Sequence, residues 1–326
     1  MSPRTRVWLA VTVCALAAAA AAVGGALLQG DEGKAAETAQ PATQAPPPLD
    51  LGVLPGDAHA RALIAAENAY ARGKPDQARR GFEAVLARDE GSVEAAVGAA
   101  LSTWPAGTLQ RLRNVVAREP GSALARVYLG VAEAAAGDDA AAKRAWREAV
   151  EREPDSPGAV QADSLLHPQI APGLPPFVPS GTPPSGLERR GAPGELRALR
   201  ARAENGDAED WLELGAFYQQ VLKRPVSARR AYDRALALEP ESLDAQVAAA
   251  VGRFAKDDPS AAFARLGPLA KSHPGAGIVR FHLGVMLLWI RAVDEAKRQL
   301  TLAVKRDPGS KYAAEARKLL ETLPQS

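Results

Sequence analysis

Two stretches of this 326-residue chain repeat one another at an offset of 154 residues, so the fold must be built from like units that stack. Pro105, Pro120 and Gly121 return as Pro259, Pro274 and Gly275, while Arg126, Leu129, Gly130 and Val131 return as Arg280, Leu283, Gly284 and Val285. Farther on, Lys143, Arg144, Ala149, Val150 and Pro154 recur as Lys297, Arg298, Ala303, Val304 and Pro308, and Leu165 and Leu166 as Leu319 and Leu320. Upstream the offset is 150, pairing Ala78, Arg79, Arg80, Phe82 and Leu86 with Ala228, Arg229, Arg230, Tyr232 and Leu236. The change of offset amounts to about one helical turn. Breaks at Gly73, Pro105, Pro120, Gly137 and Pro154, and again at Pro240, Pro259, Pro274 and Pro308, punctuate a pattern of helix, turn, helix, turn. The body therefore reads as two modules, 58–167 and 193–324, each of three helical hairpins and a closing helix.

Composition fixes the class as all-α. Alanine is abundant, aromatic residues make up only 5% and β-branched runs are scarce, which favours helices packed through small side chains over a sheet. The formal net charge of +2 comes from Arg and Lys scattered among Glu and Asp, without the clustered basic stripe of a nucleic-acid binder. The single cysteine, Cys14, has no partner for an internal disulfide. Val11, Thr12 and Val13 precede it where a lipid-attachment site needs a small residue.

Residues 1–6 form a short basic N-terminus. Residues 7–28, from Val7 to Leu28, carry no charge and give about 22 residues, enough to cross a hydrocarbon core of about 30 Å as a helix. Arg4 and Arg6 before it, with Asp31 and Glu32 after it, place the N-terminus in the cytoplasm and the body across the membrane as a single-pass protein. The alternative is a cleaved signal peptide, with A-x-A-like sites among Ala17 to Ala22, and the body secreted. Residues 29–57, with Pro46, Pro47 and Pro48, read as an extended, disordered tether. The Pro/Gly-rich stretch 168–192 reads either as a polyproline-like linker or, because Ile170, Leu174, Phe177 and Val178 are unusually apolar for one, as a segment packed on a repeat surface.

Within each hairpin the residues resemble the tetratricopeptide pattern W-x2-L-G-x2-Y, then A-x3-F, then P. Trp211, Leu214, Gly215 and Tyr218 reproduce the first helix in full, and Ala228, Tyr232, Ala235 and Pro240 the second, with one residue inserted between them. Leu129, Gly130, Ala142, Trp146, Ala149 and Pro154 form another such hairpin, and Leu283, Gly284, Ala296, Leu300, Ala303 and Pro308 a third. The hairpin around Ala66, Gly73, Ala78 and Phe82 lacks the opening Trp and Gly, and those starting near Ser92 and Ser242 read as having shortened second helices. The resemblance implies an α-solenoid made of a duplicated three-repeat module. Small residues would let two backbones cross closely and aromatic residues would fill the space between hairpins. The segment from Ser310 to Thr322 would close the stack, with Tyr312, Ala316, Leu319 and Leu320 on one face.

Chemistry-bearing motifs do not emerge. His59, His167, His273 and His282 are too few and too dispersed for a metal-ligand set, and His282, beside Phe281, reads as a surface or packing residue. No Walker loop, G-x-G-x-x-G, G-x-S-x-G or H-E-x-x-H occurs. The acidic pairs Asp138 with Asp139 and Asp257 with Asp258 fall in turns, where helix capping accounts for them. A non-enzymatic protein without cofactor, metal, nucleic acid or small-molecule substrate is the expectation. The resemblance further implies that the first helices of successive hairpins line a groove for a peptide or partner helix. Leu63, Glu67, Leu124, Val127 and Val131 lie on that side, which lacks the Lys and Asn clamp by which some relatives hold a terminal carboxylate. In the last hairpin the same side carries Ile278, Phe281, Val285, Leu288 and Trp289, either an apolar ligand surface or packing against the closing helix or the linker. Gln219 and Gln220 of the full-consensus hairpin are further binding candidates. Two functions remain open: a scaffold organising an envelope complex, or an assembly chaperone resembling tetratricopeptide factors of cytochrome c maturation.

Overall fold

The computed structural model describes residues 45–181 and 193–323, and the expected membrane segment lies outside them. Among the described residues there are helices and no strands, and no helix is long and apolar enough to cross a membrane. The chain divides into two compact units, the first ending at Leu166 and the second beginning at His167.

In the first unit the helices are α1 (Ala58–Ala71), α2 (Pro75–Leu86), α3 (Val93–Leu101), α4 (Thr108–Arg118), α5 (Ala123–Ala135), α6 (Asp139–Arg152) and α7 (Pro157–Leu166). In the second they are α8 (Pro193–Asn205), α9 (Ala208–Gln220), α10 (Pro225–Leu238), α11 (Leu243–Val251), α12 (Ser260–Ser272), α13 (Gly277–Trp289), α14 (Val293–Arg306) and α15 (Lys311–Thr322). Both units pair their helices as hairpins, and the first helices of successive hairpins pack on one another and on the closing helix, so that α1, α3, α5 and α7 form one layer and α9, α11, α13 and α15 its counterpart. Three hairpins and a closing helix per unit agree with the repeat pattern. Helix α8 is an addition without a counterpart in the first unit; it docks through Leu199 and Ala203, with Arg202 paired to Asp210 and Glu213.

Local chemistry sets the ends. Ser92, Ser122, Ser242 and Ser310 each accept the backbone N–H three residues on, capping α3, α5, α11 and α15, and Asp138 caps α6 through Ala141 N–H. The acidic turn pair beginning at Asp138 is thus a capping device. Pro75 and Pro225 occupy first-turn positions, where the missing N–H costs nothing, and Pro154, Pro240 and Pro308 follow just past the ends of α6, α10 and α14. One expectation needs correction. The hairpins that start near Ser92 and Ser242 are short in their first helices, nine residues in α3 and in α11, while their second helices run to 11 and 13. The turn prolines Pro105 and Pro259 mislead here, because in each hairpin the first helix ends some residues before them.

Close crossings depend on glycine. A Cβ built on Gly130 would lie 2.6 Å from Cδ1 of Trp146, whose indole N–H donates to the Val127 carbonyl at 3.1 Å. Tyr232 stands against Gly215 in the same way. At Gly284 the facing side chain is Leu300, with Cγ 2.8 Å from the built Cβ, and Leu300 is the more adaptable neighbour. Ala142, Ala228 and Ala296 sit opposite these glycines' helices and are buried to 1% exposure or less. Gly130→Ala should therefore destabilise the first unit by about 2 kcal/mol, an overpacking cost of about 3 offset by about 1 of helix propensity. Gly284→Ala should cost less, and urea unfolding of the two variants side by side checks the order.

Candidate functional site

In each unit the layer of first helices faces an extended segment of the same chain. Residues 45–55 run along the first unit and 167–181 along the second. Residues 45–55 are thus a held segment and not the disordered tether expected of 29–57, because their main chain and Leu51 find partners on the first helices. A buried main-chain segment must satisfy its N–H and C=O groups, and here the first helices supply the partners.

In the first unit Tyr128 of α5 accepts the Asp50 N–H at 2.6 Å and lies 3.2 Å from the Asp50 carbonyl. Glu67 of α1 accepts the Leu51 N–H at 2.8 Å, and the Tyr70 hydroxyl donates to the Pro47 carbonyl at 2.8 Å. Burial raises the Glu67 carboxyl above its ordinary range, holds the Tyr128 phenol up and pushes that of Tyr70 up to about 12. Leu51 is the one fully buried side chain of this segment and belongs to the same core as Leu63, Ala66, Tyr70 and Tyr128, with Leu49 and Val53 partly buried against it.

The second unit repeats the arrangement with deeper anchors. Gln219 of α9 accepts the Phe177 N–H at 2.8 Å and donates to the Pro175 carbonyl at 3.1 Å, and Gln220 donates to the Phe177 carbonyl at 2.6 Å. The Val178 N–H donates to His282 Nε2 at 2.9 Å, and the Tyr312 hydroxyl of α15 donates to the Val178 carbonyl at 3.0 Å. Ala171 N–H donates to the Trp289 carbonyl at 2.8 Å, and Ser180 N–H to Asp244 of α11 at 2.9 Å. Ile170, Ala171, Pro175, Pro176, Phe177, Val178 and Pro179 are all buried. The Phe177 ring meets Tyr232 edge-on at 5.3 Å and stacks on His282 at 5.2 Å. Of the two sequence readings of this stretch, the packed one describes residues 167–181.

The two gripping sites are equivalent by the repeat itself. At the 154-residue offset Tyr128 coincides with His282, and these two residues hold the main-chain N–H of Asp50 and of Val178. Both segments run antiparallel to the first helices. Pro47 lies at the C-terminal end of α1 and Gly52 against Pro157 at the start of α7, and Ala171 lies at the end of α13 and Gly181 beside Lys311 at the start of α15.

His282, like Tyr70, Tyr128 and Tyr312, is a site residue that sequence reasoning missed, for a histidine beside a phenylalanine carries no sign of its partner 104 residues away. Its Nδ1 lies 2.7 Å from the Ile278 carbonyl, an acceptor, so Nδ1 carries the proton and Nε2 offers a lone pair to Val178 N–H. Only the neutral ring satisfies both bonds. Burial accordingly lowers its pKa from 6.5 to about 3, with Lys311 adding repulsion and the Ile278 carbonyl opposing the shift. Because the folded value lies below the unfolded one, the unfolded chain binds the extra proton. The contribution is complete above pH 6.5 and is lost as pH falls toward 3, by about 1.4 kcal/mol per pH unit. Second-unit stability should drop by about 2 kcal/mol between pH 6.5 and 5, and His282→Gln should flatten that slope in urea unfolding series.

The sequence-derived candidates divide by location. Gln219 and Gln220 hold the main chain of the bound segment. Ile278, Phe281, Val285, Leu288 and Trp289 are 6% exposed or less, with Phe281 against Tyr312 at 5.7 Å, so in this fold their surface is already covered by the chain itself. Among the described residues no group of three or more His, Cys, Asp or Glu is placed to hold a metal ion.

The tetratricopeptide repeat family model matches residues 124–156, the hairpin of α5 and α6 with its following turn. No curated protein matches the chain in sequence. Similar solved structures include the C-terminal part of a TPR repeat-containing protein from Cytophaga hutchinsonii, at 15% identity over 81% of this chain and 100% of that one, with a TM-score of 0.30. Others are a thermophilic TPR protein of Thermus thermophilus, at 21% identity over 60% and 98% with a TM-score of 0.29, and a tetratricopeptide repeat protein from Parabacteroides merdae, at 10% over 81% and 98% with a TM-score of 0.33. At such scores the structures carry no argument, and the family match stands for one hairpin: residues 124–156 match the tetratricopeptide repeat, and the other hairpins share its helix–turn–helix form.

Proposed function

We propose that this protein is a non-enzymatic interaction scaffold whose repeat faces hold extended segments of protein, displayed on the extracytoplasmic side of a membrane by the apolar stretch at 7–28. The observation that carries the reading is that both units hold an extended segment along the first-helix layer through its main-chain atoms. Hydrogen bonds to N–H and C=O groups are available from any extended partner, and side-chain seats such as that of Leu51 add selectivity. The uncharged span with Arg before it and acids after it supports the anchor and its orientation. One feature favours the assembly-chaperone alternative. Tyr70, Tyr128, Gln219 and Gln220 read main-chain atoms common to every sequence, as a protein that handles many extended clients requires.

The test is affinity purification of the detergent-solubilised full-length protein from its native cell, with cross-linking and mass spectrometry. One stoichiometric protein cross-linked near α1, α5, α9 or α13 supports the scaffold, and many substoichiometric clients at those helices support the chaperone. Recovery of no protein at those faces contradicts both.

A further inference from the structure

We propose that the segment Pro47–Leu51 is an exchangeable self-ligand, and that the first-unit face it covers is a receptor site for an extended, proline-rich peptide of another protein with an aliphatic residue at the Leu51 seat. This rests on the reading that the first-helix faces take extended protein. The two covered faces are equivalent in register yet unequal in depth. In the second unit seven residues of the segment are buried and Phe177 is fully enclosed, which makes that segment part of the core. In the first unit Leu51 alone is buried. Pro46, Pro48, Asp50 and Gly52 are exposed, Leu49 and Val53 are partly buried against the core, and the polar hold is on main-chain atoms: Tyr128 and Glu67 accept the Asp50 and Leu51 N–H groups, and Tyr70 donates to the Pro47 carbonyl. Such a contact is what an outside peptide can reproduce in full, since all four hydrogen bonds are to main-chain atoms, those of Pro47, Asp50 and Leu51. Prolines favour the occupant physically. They hold the chain extended before binding, which reduces the ordering cost, and Pro47 presents a carbonyl where no N–H is called for.

The segment leads directly into α1, so it competes as a tethered ligand at high effective concentration, and a free peptide must overcome that advantage. The competition gives the test. A fluorescent synthetic peptide of residues 45–55 is titrated against three full-length proteins: wild type, Leu51→Asp, and Asp50→Pro, which deletes the N–H that Tyr128 accepts. Circular dichroism checks that each retains its helices; two variants are used so that misfolding of one leaves the other to decide. The peptide should bind an opened variant at least tenfold more tightly than wild type, and addition of Tyr128→Phe to that variant should reverse the gain. Equal affinity for wild type and opened variants overturns the inference, as does formation of a dimer by the opened variants, which would make a second copy the occupant. Those failures leave the broader reading intact if native partners still cross-link to repeat helices outside the Pro47–Leu51 seat.

Discussion

Phe177→Ala should destabilise the second unit by about 3–5 kcal/mol, although the residue lies in no helix and in a stretch rich in proline and glycine. The side chain is fully buried, edge-on to Tyr232 and stacked on His282, and its truncation leaves a cavity that ring-shaped neighbours cannot fill by small shifts. The cost is bounded by release of the segment. If residues 170–179 came away, Gln219, Gln220 and His282 would lose their bonded partners and the faces of Tyr232 and His282 would meet water. Urea unfolding of the full-length variant should show an earlier transition for the second unit, while that of the first keeps its midpoint. An unchanged midpoint would mean that the segment is not held as described.

Phe281→Ala should cost a similar 3–5 kcal/mol, and for a reason that alters how binding experiments are designed. From sequence, Phe281 and Val285 stand on the presumed ligand side of the last hairpin, and loss of a partner on their truncation would read as loss of a binding surface. Their exposures are 0% and 1%, and Phe281 packs against Tyr312 and His282. Truncation therefore weakens the closing helix and the seat of Val178 together. A variant that no longer captures a partner would report unfolding. Thermal melting of Phe281→Ala before any pull-down should show the loss directly, and a melting temperature equal to wild type would return Phe281 to the list of ligand contacts. Gln220→Ala is the gentler probe of this face, since Gln220 is half-buried and donates to one carbonyl.

The repeat architecture was legible because its determinants are local or periodic. Gly130, Gly215 and Gly284 mark crossings, Ala142, Ala228 and Ala296 mark the facing helices, and Pro154, Pro240 and Pro308 mark the ends, at spacings that survive in one dimension to within the one residue inserted after Gly215. Helix lengths were less so. Pro105 and Pro259 lie in turns well past the ends of α3 and α11, and a proline tells where a helix cannot continue without telling where it stopped. Helix α8 was missed as a separate element because its stripe, Leu199 and Ala203, is thin. The site was legible in part. Gln219 and Gln220 were found because a first helix presents them on the expected side, and the apolar excess of Ile170, Phe177 and Val178 announced that their stretch could pack. What sequence could not supply was the pairing between distant segments. Asp50 with Tyr128 and Val178 with His282 are separated by 78 and 104 residues, and nothing in either neighbourhood names its partner. The repeat offset that aligns Tyr128 with His282 was present in the sequence, but a tyrosine aligned with a histidine looks like divergence until both are seen holding the same main-chain N–H.

Amide hydrogen exchange on the full-length protein, resolved to residues 45–55 and 167–181, tests most directly the claim that the first-helix faces hold extended chain through its backbone. The Phe177 and Val178 amides should exchange as slowly as those of the buried helices around them, and the Asp50 and Leu51 amides should be protected to a lesser degree, in keeping with their shallower seat. Exchange of all four at the rate of an unstructured peptide would contradict that claim.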